Sequence, residues 1–364
     1  KASAEVELCS DGMYEVRTSS AEIGQGLVTV LQLIVAQEFT TEPDQVRVLV
    51  VADPVQANQP DTIQLHPKGN LLKHIKVRKG NIEEGYNDAD VILEHVFHTG
   101  IYEHAFIEPE CSIARVTPEG RMEVYVGSQI PYADRNQIAR SLGWAEEKVR
   151  VVGVMIGGGF GGKEDIAGQI HAALLAQTTG RPVKLLFDRH ESLMVHPKRH
   201  ATQIKIKMGA KSDGRLTAVQ TELYGDTGAY ASLGEKVMTR ATTHSAGPYV
   251  VPHTKADCFA MYTNNPPAGA FRGFGVTQSC FAVESMVDML AEKLDMDAVE
   301  IRRLNALDLG TTTNTGQQLT ESVGLLECIE EVGKEMHSRT TGDPFKSRGV
   351  DGKPHLKRAW GFAV

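Results

Sequence analysis

Alternating apolar and polar positions over 4–8 and 13–18, joined by Asp11-Gly12, predict a β-hairpin. Apolar residues at helical spacing over 27–39 predict a helix, followed by a strand over 46–51. From Asp53 the pattern becomes polar and rich in Pro, Gln and Asn as far as Asn70, where a boundary is expected. Short strands then recur at 91–98, 121–127, 149–156 and 182–188, with helices at 135–142 and 166–178 between them. A second hairpin is predicted for 203–208 and 216–224 around Asp213-Gly214, then a strand at 257–262 and helices at 278–294, 297–305 and 320–336. Hairpins mixed with strand–helix–strand runs predict an α+β fold of mixed, largely antiparallel sheets with flanking helices.

Three glycine-rich stretches interrupt this pattern. The first, Gly157-Gly158-Gly159-Phe160-Gly161-Gly162-Lys163, follows a strand and precedes a helix, so its N–H groups can approach an anion or an extended cofactor. It satisfies G-x-x-x-x-G-K, but Glu164 stands where a nucleotide P-loop needs Ser or Thr for magnesium. A phosphate-bearing cofactor other than a P-loop nucleotide is expected, with a structural glycine turn as the bland reading. The second, Gly24-Gln25-Gly26, opens the helix at 27, where free N–H groups favour an anion; such a tripeptide is commonly just a turn. The third runs from Asn264 to Gly275 and holds one cation, Arg272, beside Phe271. An unpaired guanidinium buried in an apolar loop would be costly, which favours a site over a merely loop-pinning Arg272. Gln129 sits at a strand end, a position from which scaffolds present functional groups.

Composition narrows the class. The chain has 364 residues and a formal net charge of -8, with Lys and Arg scattered, which argues against nucleic-acid binding. No apolar run approaches the roughly 20 residues of a bilayer span, so no membrane partner and a cytoplasmic location are expected. The five cysteines lie far apart without a C-x-x-C pair, which removes zinc and iron–sulfur signatures. Glu164 and Asp165 could cap the following helix, His104 reads as a structural histidine, and Lys198-Arg199-His200 reads as a solvated face. The absence of a starting Met and the strand-like end at Val364 read as a piece of a longer chain.

Taken together, the three glycine stretches and His104-Ala105-Phe106-Ile107-Glu108-Pro109-Glu110 resemble the molybdenum-cofactor-binding subunit of the xanthine dehydrogenase and aldehyde oxidase family. The resemblance implies molybdopterin as cofactor and Gln129, Gly159, Phe160, Gly161, Phe271, Gly24, Gln25 and Gly26 as its contacts. It implies Arg272 and Glu164 as catalytic groups facing the substrate. Hydroxylation of a purine-like or other N-heterocycle with water as oxygen source follows, with an aldehyde oxidoreductase or a non-catalytic fragment or assembly subunit as alternatives. Iron–sulfur (2Fe-2S) and FAD cofactors would sit on partner subunits, and the residues leave open whether the pterin carries a cytosine dinucleotide.

The chain also departs from the family: Thr315 stands near where some purine oxidisers carry a Phe, and Gly273 follows Arg272 where carbon monoxide dehydrogenases carry a Cys. Residues 1–52 resemble part of the second molybdopterin-binding domain, out of its usual order, ahead of a first domain over 53–345 and a linker or strand over 346–364. The family's Gly-Glu-Pro glutamate base is also missing, so a further chain is expected to supply it.

Overall fold

The computed structural model describes residues 4–18, 27–350 and 352–364. Gly24, Gln25 and Gly26 lie outside the described residues. The largest layer is a five-stranded sheet in the order Leu71–Lys79, His253–Tyr262, Leu216–Gly228, Thr202–Ala210, Val91–Thr99. Only the inner pair Leu216–Gly228 and His253–Tyr262 runs parallel; the other neighbours are antiparallel. Strict alternation along Thr202–Ala210 sends Ile204, Ile206 and Met208 to full burial under the helices Gly234–Thr243 and Val276–Leu294. The sheets are mixed, as the pattern predicts.

A second sheet of four strands has the order Val149–Gly153, Met122–Val126, Cys111–Val116, Val183–Leu186. Helices Pro131–Leu142 and Gln169–Thr179 cover it, and Ala172, Ala173 and Ala176 are fully buried, so small side chains let the second helix sit close to the strands. That helix begins at Gln169 rather than 166, with Gly168 as its N-cap. A separate 3-10 turn, Gly162–Glu164, ends the glycine loop. Neither Glu164 nor Asp165 therefore caps the following helix, which corrects that reading.

The N-terminal unit packs helix Leu27–Phe39 on strands Ala4–Leu8, Tyr14–Thr18 and Val46–Leu49 around Val16, Val35, Ala36 and Val46. The polar stretch after Val51 is packed rather than loose: Val51, Ala57 and Leu65 are buried with Met261 of the large sheet. Asn264 is the rivet. It accepts from Val51 N–H at 2.7 Å and donates to the Thr18 carbonyl at 2.8 Å. Asn264→Ala would strand a buried donor and is expected to cost about 1–3 kcal/mol, read as a lower urea midpoint; an unchanged midpoint would mean the unit is held elsewhere.

Two strand ends fix the place of the site. The glycine loop leaves the small sheet after Val149–Gly153, and the arginine loop leaves the large sheet after His253–Tyr262. They meet where Phe160 C=O accepts from Arg272 N–H at 2.9 Å.

Candidate active site

Gly161 shows why this loop is glycine. Its φ is +98°, and a Cβ there would lie 2.9 Å from the carbonyl carbon of Ala270 in the arginine loop. Phe160 also takes a positive φ, 53°, uncommon for a residue other than glycine. The N–H groups of Gly158, Gly159 and Phe160 have no protein acceptor among the described residues. Gly159 is buried and its carbonyl accepts from Gly162 N–H at 2.7 Å, which closes the turn.

Gln129 holds the loop with one end and leaves the other free. Its side-chain oxygen accepts from the N–H groups of Gly161 at 3.0 Å and Lys163 at 3.3 Å. The amide NH2 then points away with no protein partner among the described residues, and Gln129 is exposed. Lys163, the residue that would meet phosphate in a P-loop, is buried. Its Nζ donates to Glu108 at 2.6 Å and lies 4.8 Å from the centre of the Phe106 ring. Burial alone would raise Glu108, but Lys163 and the Gly157 N–H outweigh it and hold this carboxylate below its ordinary range.

Arg272 and Glu164 project from the two loops. Arg272 is exposed, not buried, and its guanidinium has no ion pair or hydrogen bond among the described residues, so burial cost is no argument for its role. Its carbonyl accepts from Arg199 at 2.9 Å, and that pins the backbone. Glu164 is half-buried; burial first, and then the neighbouring Asp165 charge, raise it above the usual carboxyl range. Phe271 turns inward, its ring 4.0 Å from that of His104 and capped by Arg199 at 4.1 Å, so it braces the loop from beneath.

Sequence reasoning missed the braces. Lys198 and Arg199 are partly buried and His200 is fully buried, which overturns the solvated-face reading of that run. His104 is buried and donates from Nε2 to the Ala270 carbonyl at 2.7 Å, in keeping with a structural histidine. Glu103, His104 and His196 bring ligand-type atoms within 4.8 Å of one another. Each histidine Nε2 is already committed to a carbonyl and the Lys198 ammonium contacts Glu103, so the cluster is an internal ion pair rather than a metal seat.

The donor set fits a cofactor rich in oxygen and sulfur acceptors: three loop N–H groups and a carboxamide NH2 stand unpartnered in and beside one glycine turn, among the described residues. Mixed sheets that present such a turn at their seam define a cofactor-binding domain. Residues 65–306 match the family model of the molybdopterin cofactor-binding domain and residues 1–59 match a second model of that description, so the chain belongs to the molybdopterin cofactor-binding family.

Among its relatives is the nicotinate dehydrogenase large molybdopterin subunit of Eubacterium barkeri, 44% identical over 278 residues, which are 76% of this chain and 65% of the relative. A probable xanthine dehydrogenase subunit of Bacillus subtilis (strain 168) is 36% identical over 82% of this chain and 39% of its own length. The solved aldehyde oxidoreductase from Desulfovibrio gigas superposes with a TM-score of 0.77 at 30% identity, covering 80% of this chain and 32% of that one. The chain thus spans less than two thirds of each. Among the described residues no helix is long and apolar enough to cross a membrane.

Proposed function

We propose that this chain is the catalytic, molybdopterin-binding part of a multi-subunit hydroxylase acting on a purine-like or other N-heterocycle, with oxygen taken from water. One observation carries the reading: the N–H groups of Gly158, Gly159 and Phe160, the Gln129 NH2 and the side chains of Arg272 and Glu164 all stand without hydrogen-bond partners around one loop seam, among the described residues. The identity to a nicotinate dehydrogenase subunit supports a heterocycle over an aldehyde.

When bound, the molybdenum cofactor supplies the redox chemistry, taking up two electrons as a substrate carbon is oxidised. Gly158, Gly159 and Phe160 N–H and the Gln129 NH2 would hold it as hydrogen-bond donors. Arg272 offers a planar fork for a carboxylate or for negative charge spread over a heterocycle. Glu164, with its raised affinity for a proton, exchanges that proton with a ring nitrogen. Iron–sulfur and FAD subunits would carry electrons away, and a further chain would supply the glutamate base. In this reading residues 1–52 belong to a second cofactor-binding domain and 53–345 to the first.

Elemental analysis for molybdenum with pterin fluorescence, on the complex purified from its natural host, tests this reading. Stoichiometric metal and pterin support it; neither in an intact complex overturns it. Glu164 adds a pH test. Because the carboxyl is shifted upward, its proton is present below the raised titration point and lost as pH rises through it. Turnover of the heterocycle should therefore fall on that alkaline limb. Glu164→Gln should lose roughly 10²-fold and remove the limb; a variant that keeps the limb would acquit Glu164.

A further inference from the structure

Glu108 touches both ends of the glycine loop with a single atom. Its Oε2 accepts from the Gly157 N–H at 2.6 Å, where the loop begins, and from Lys163 Nζ at 2.6 Å, where it ends. A carboxylate oxygen has lone pairs for two donors, so both bonds are made at once. Between them lie Gly158, Gly159 and Phe160, whose N–H groups have no protein acceptor among the described residues. The bonded frame therefore brackets the free donors.

Residues far apart in sequence hold this frame in place. The Glu108 N–H donates back to the Gly157 carbonyl at 3.1 Å, and the Gln129 N–H donates to the Lys163 carbonyl at 2.9 Å. Arg189 donates to the carbonyls of Phe106 at 2.7 Å and Ile107 at 2.8 Å, which fixes the backbone that presents Glu108. Gly157 leaves the necessary room, since a Cβ there would stand 2.5 Å from the Cβ of Glu108.

An acidic side chain alone would oppose an anion at this loop. Lys163, its side chain only 5% exposed, neutralises it from within. Burial by itself would raise Glu108, but Lys163 and the Gly157 N–H outweigh it, so the carboxylate stays ionised and the bond to Lys163 is charge-assisted. The pair carries no net charge, and contact with a ligand is left to the neutral donors of the loop.

We propose that Glu108 is a positioning residue: by closing the glycine loop at both ends it sets the arrangement of the Gly158, Gly159 and Phe160 N–H groups, and so how firmly the cofactor is retained. Retention rests on the reading of this loop as the cofactor loop; the clamp itself stands without it.

Three variants of the native complex separate this role from simple bracing. Glu108→Ala opens the clamp and leaves the buried Lys163 ammonium facing the Phe106 ring, so the urea midpoint and cofactor retention should both fall. Adding Lys163→Met to Glu108→Ala removes the stranded charge, and the midpoint should return toward wild type. Release of molybdenum and pterin during dialysis should nevertheless stay on the order of tenfold faster, because the Gly157 N–H still lacks its acceptor. Glu108→Gln should do the reverse. Its amide oxygen accepts from both Gly157 and Lys163, so release should stay within about twofold of wild type, while the unneutralised ammonium lowers the midpoint.

Release rates that simply follow the urea midpoint across the three variants would make Glu108 a structural brace and overturn the proposal. Amide exchange at Gly157 reads the clamp without the cofactor: protection there should drop about tenfold in both alanine-containing variants and persist in Glu108→Gln. Unchanged Gly157 protection in Glu108→Ala overturns the clamp. Loss of that protection in a complex that never contains molybdenum upholds the clamp and sinks the cofactor reading instead.

Discussion

Arg272→Ala is expected to cut kcat/KM for an N-heterocyclic substrate by on the order of 10²–10³-fold while leaving molybdenum and pterin content at the wild-type level. The side chain is exposed and unpartnered among the described residues, so its loss removes no internal bond and fold and cofactor should survive. Its backbone is fixed independently, through N–H to Phe160 C=O and C=O to Arg199. What disappears is a planar fork carried at the loop seam on a fixed backbone. Arg272→Lys should recover only part of the loss, because a point charge cannot reproduce bidentate geometry. Aldehyde turnover, which develops no ring-delocalised charge, should change by less than about threefold. Equal losses for heterocycle and aldehyde would remove the case for a heterocycle-specific Arg272.

Gly162→Ala is expected to empty the site. A Cβ at this position would stand 2.5 Å from both Nε2 and Cε1 of the His196 ring. That ring cannot step aside easily, since its Nε2 is engaged by Gly162 C=O and the Phe106 ring packs edge-on against it at 5.0 Å. Overpacking of this kind costs about 1–3 kcal/mol, a modest fraction of global stability, but it falls on the loop that carries the unpartnered donors. Metal and pterin content should drop to near background while the far-ultraviolet circular dichroism stays native. Gly349→Ala serves as control, because nothing lies within 4 Å of a Cβ there and its φ is not left-handed. A Gly162→Ala protein with full cofactor would show that the ring contact does not set the loop's position.

The parts of the site that could be read in advance are those whose chemistry is written into local pattern. A strand followed by five glycines around Phe160 announces a close backbone approach, and Gln129 at a strand end is presented by the same rule. The capping role allowed to Glu164 and Asp165 failed because the 3-10 turn gives way to extended backbone at Asp165 and the helix starts only at Gln169. Lys198-Arg199-His200 misled for a different reason. A charge run is usually solvated, and only the folded chain brings Glu103 to Lys198, Phe271 to Arg199 and Tyr102 C=O to the Arg199 N–H. The partner of Lys163 is equally invisible in local pattern, since Glu108, which it meets at 2.6 Å, lies 55 residues upstream.

By itself the sequence determined much of the element pattern, though not the helix Gly234–Thr243, together with the mixed α+β class, the three glycine stretches and the residue types able to hold an acceptor-rich cofactor. Periodicity and turn chemistry act over a few residues, so one chain position and its neighbours suffice to state them. Tertiary structure alone decided which charges are buried, which end of the Gln129 amide is free, and that Phe271 braces while Arg272 reaches out. Those outcomes depend on desolvation and on partners far apart along the chain, and both exist only once the two sheets have brought their loops together.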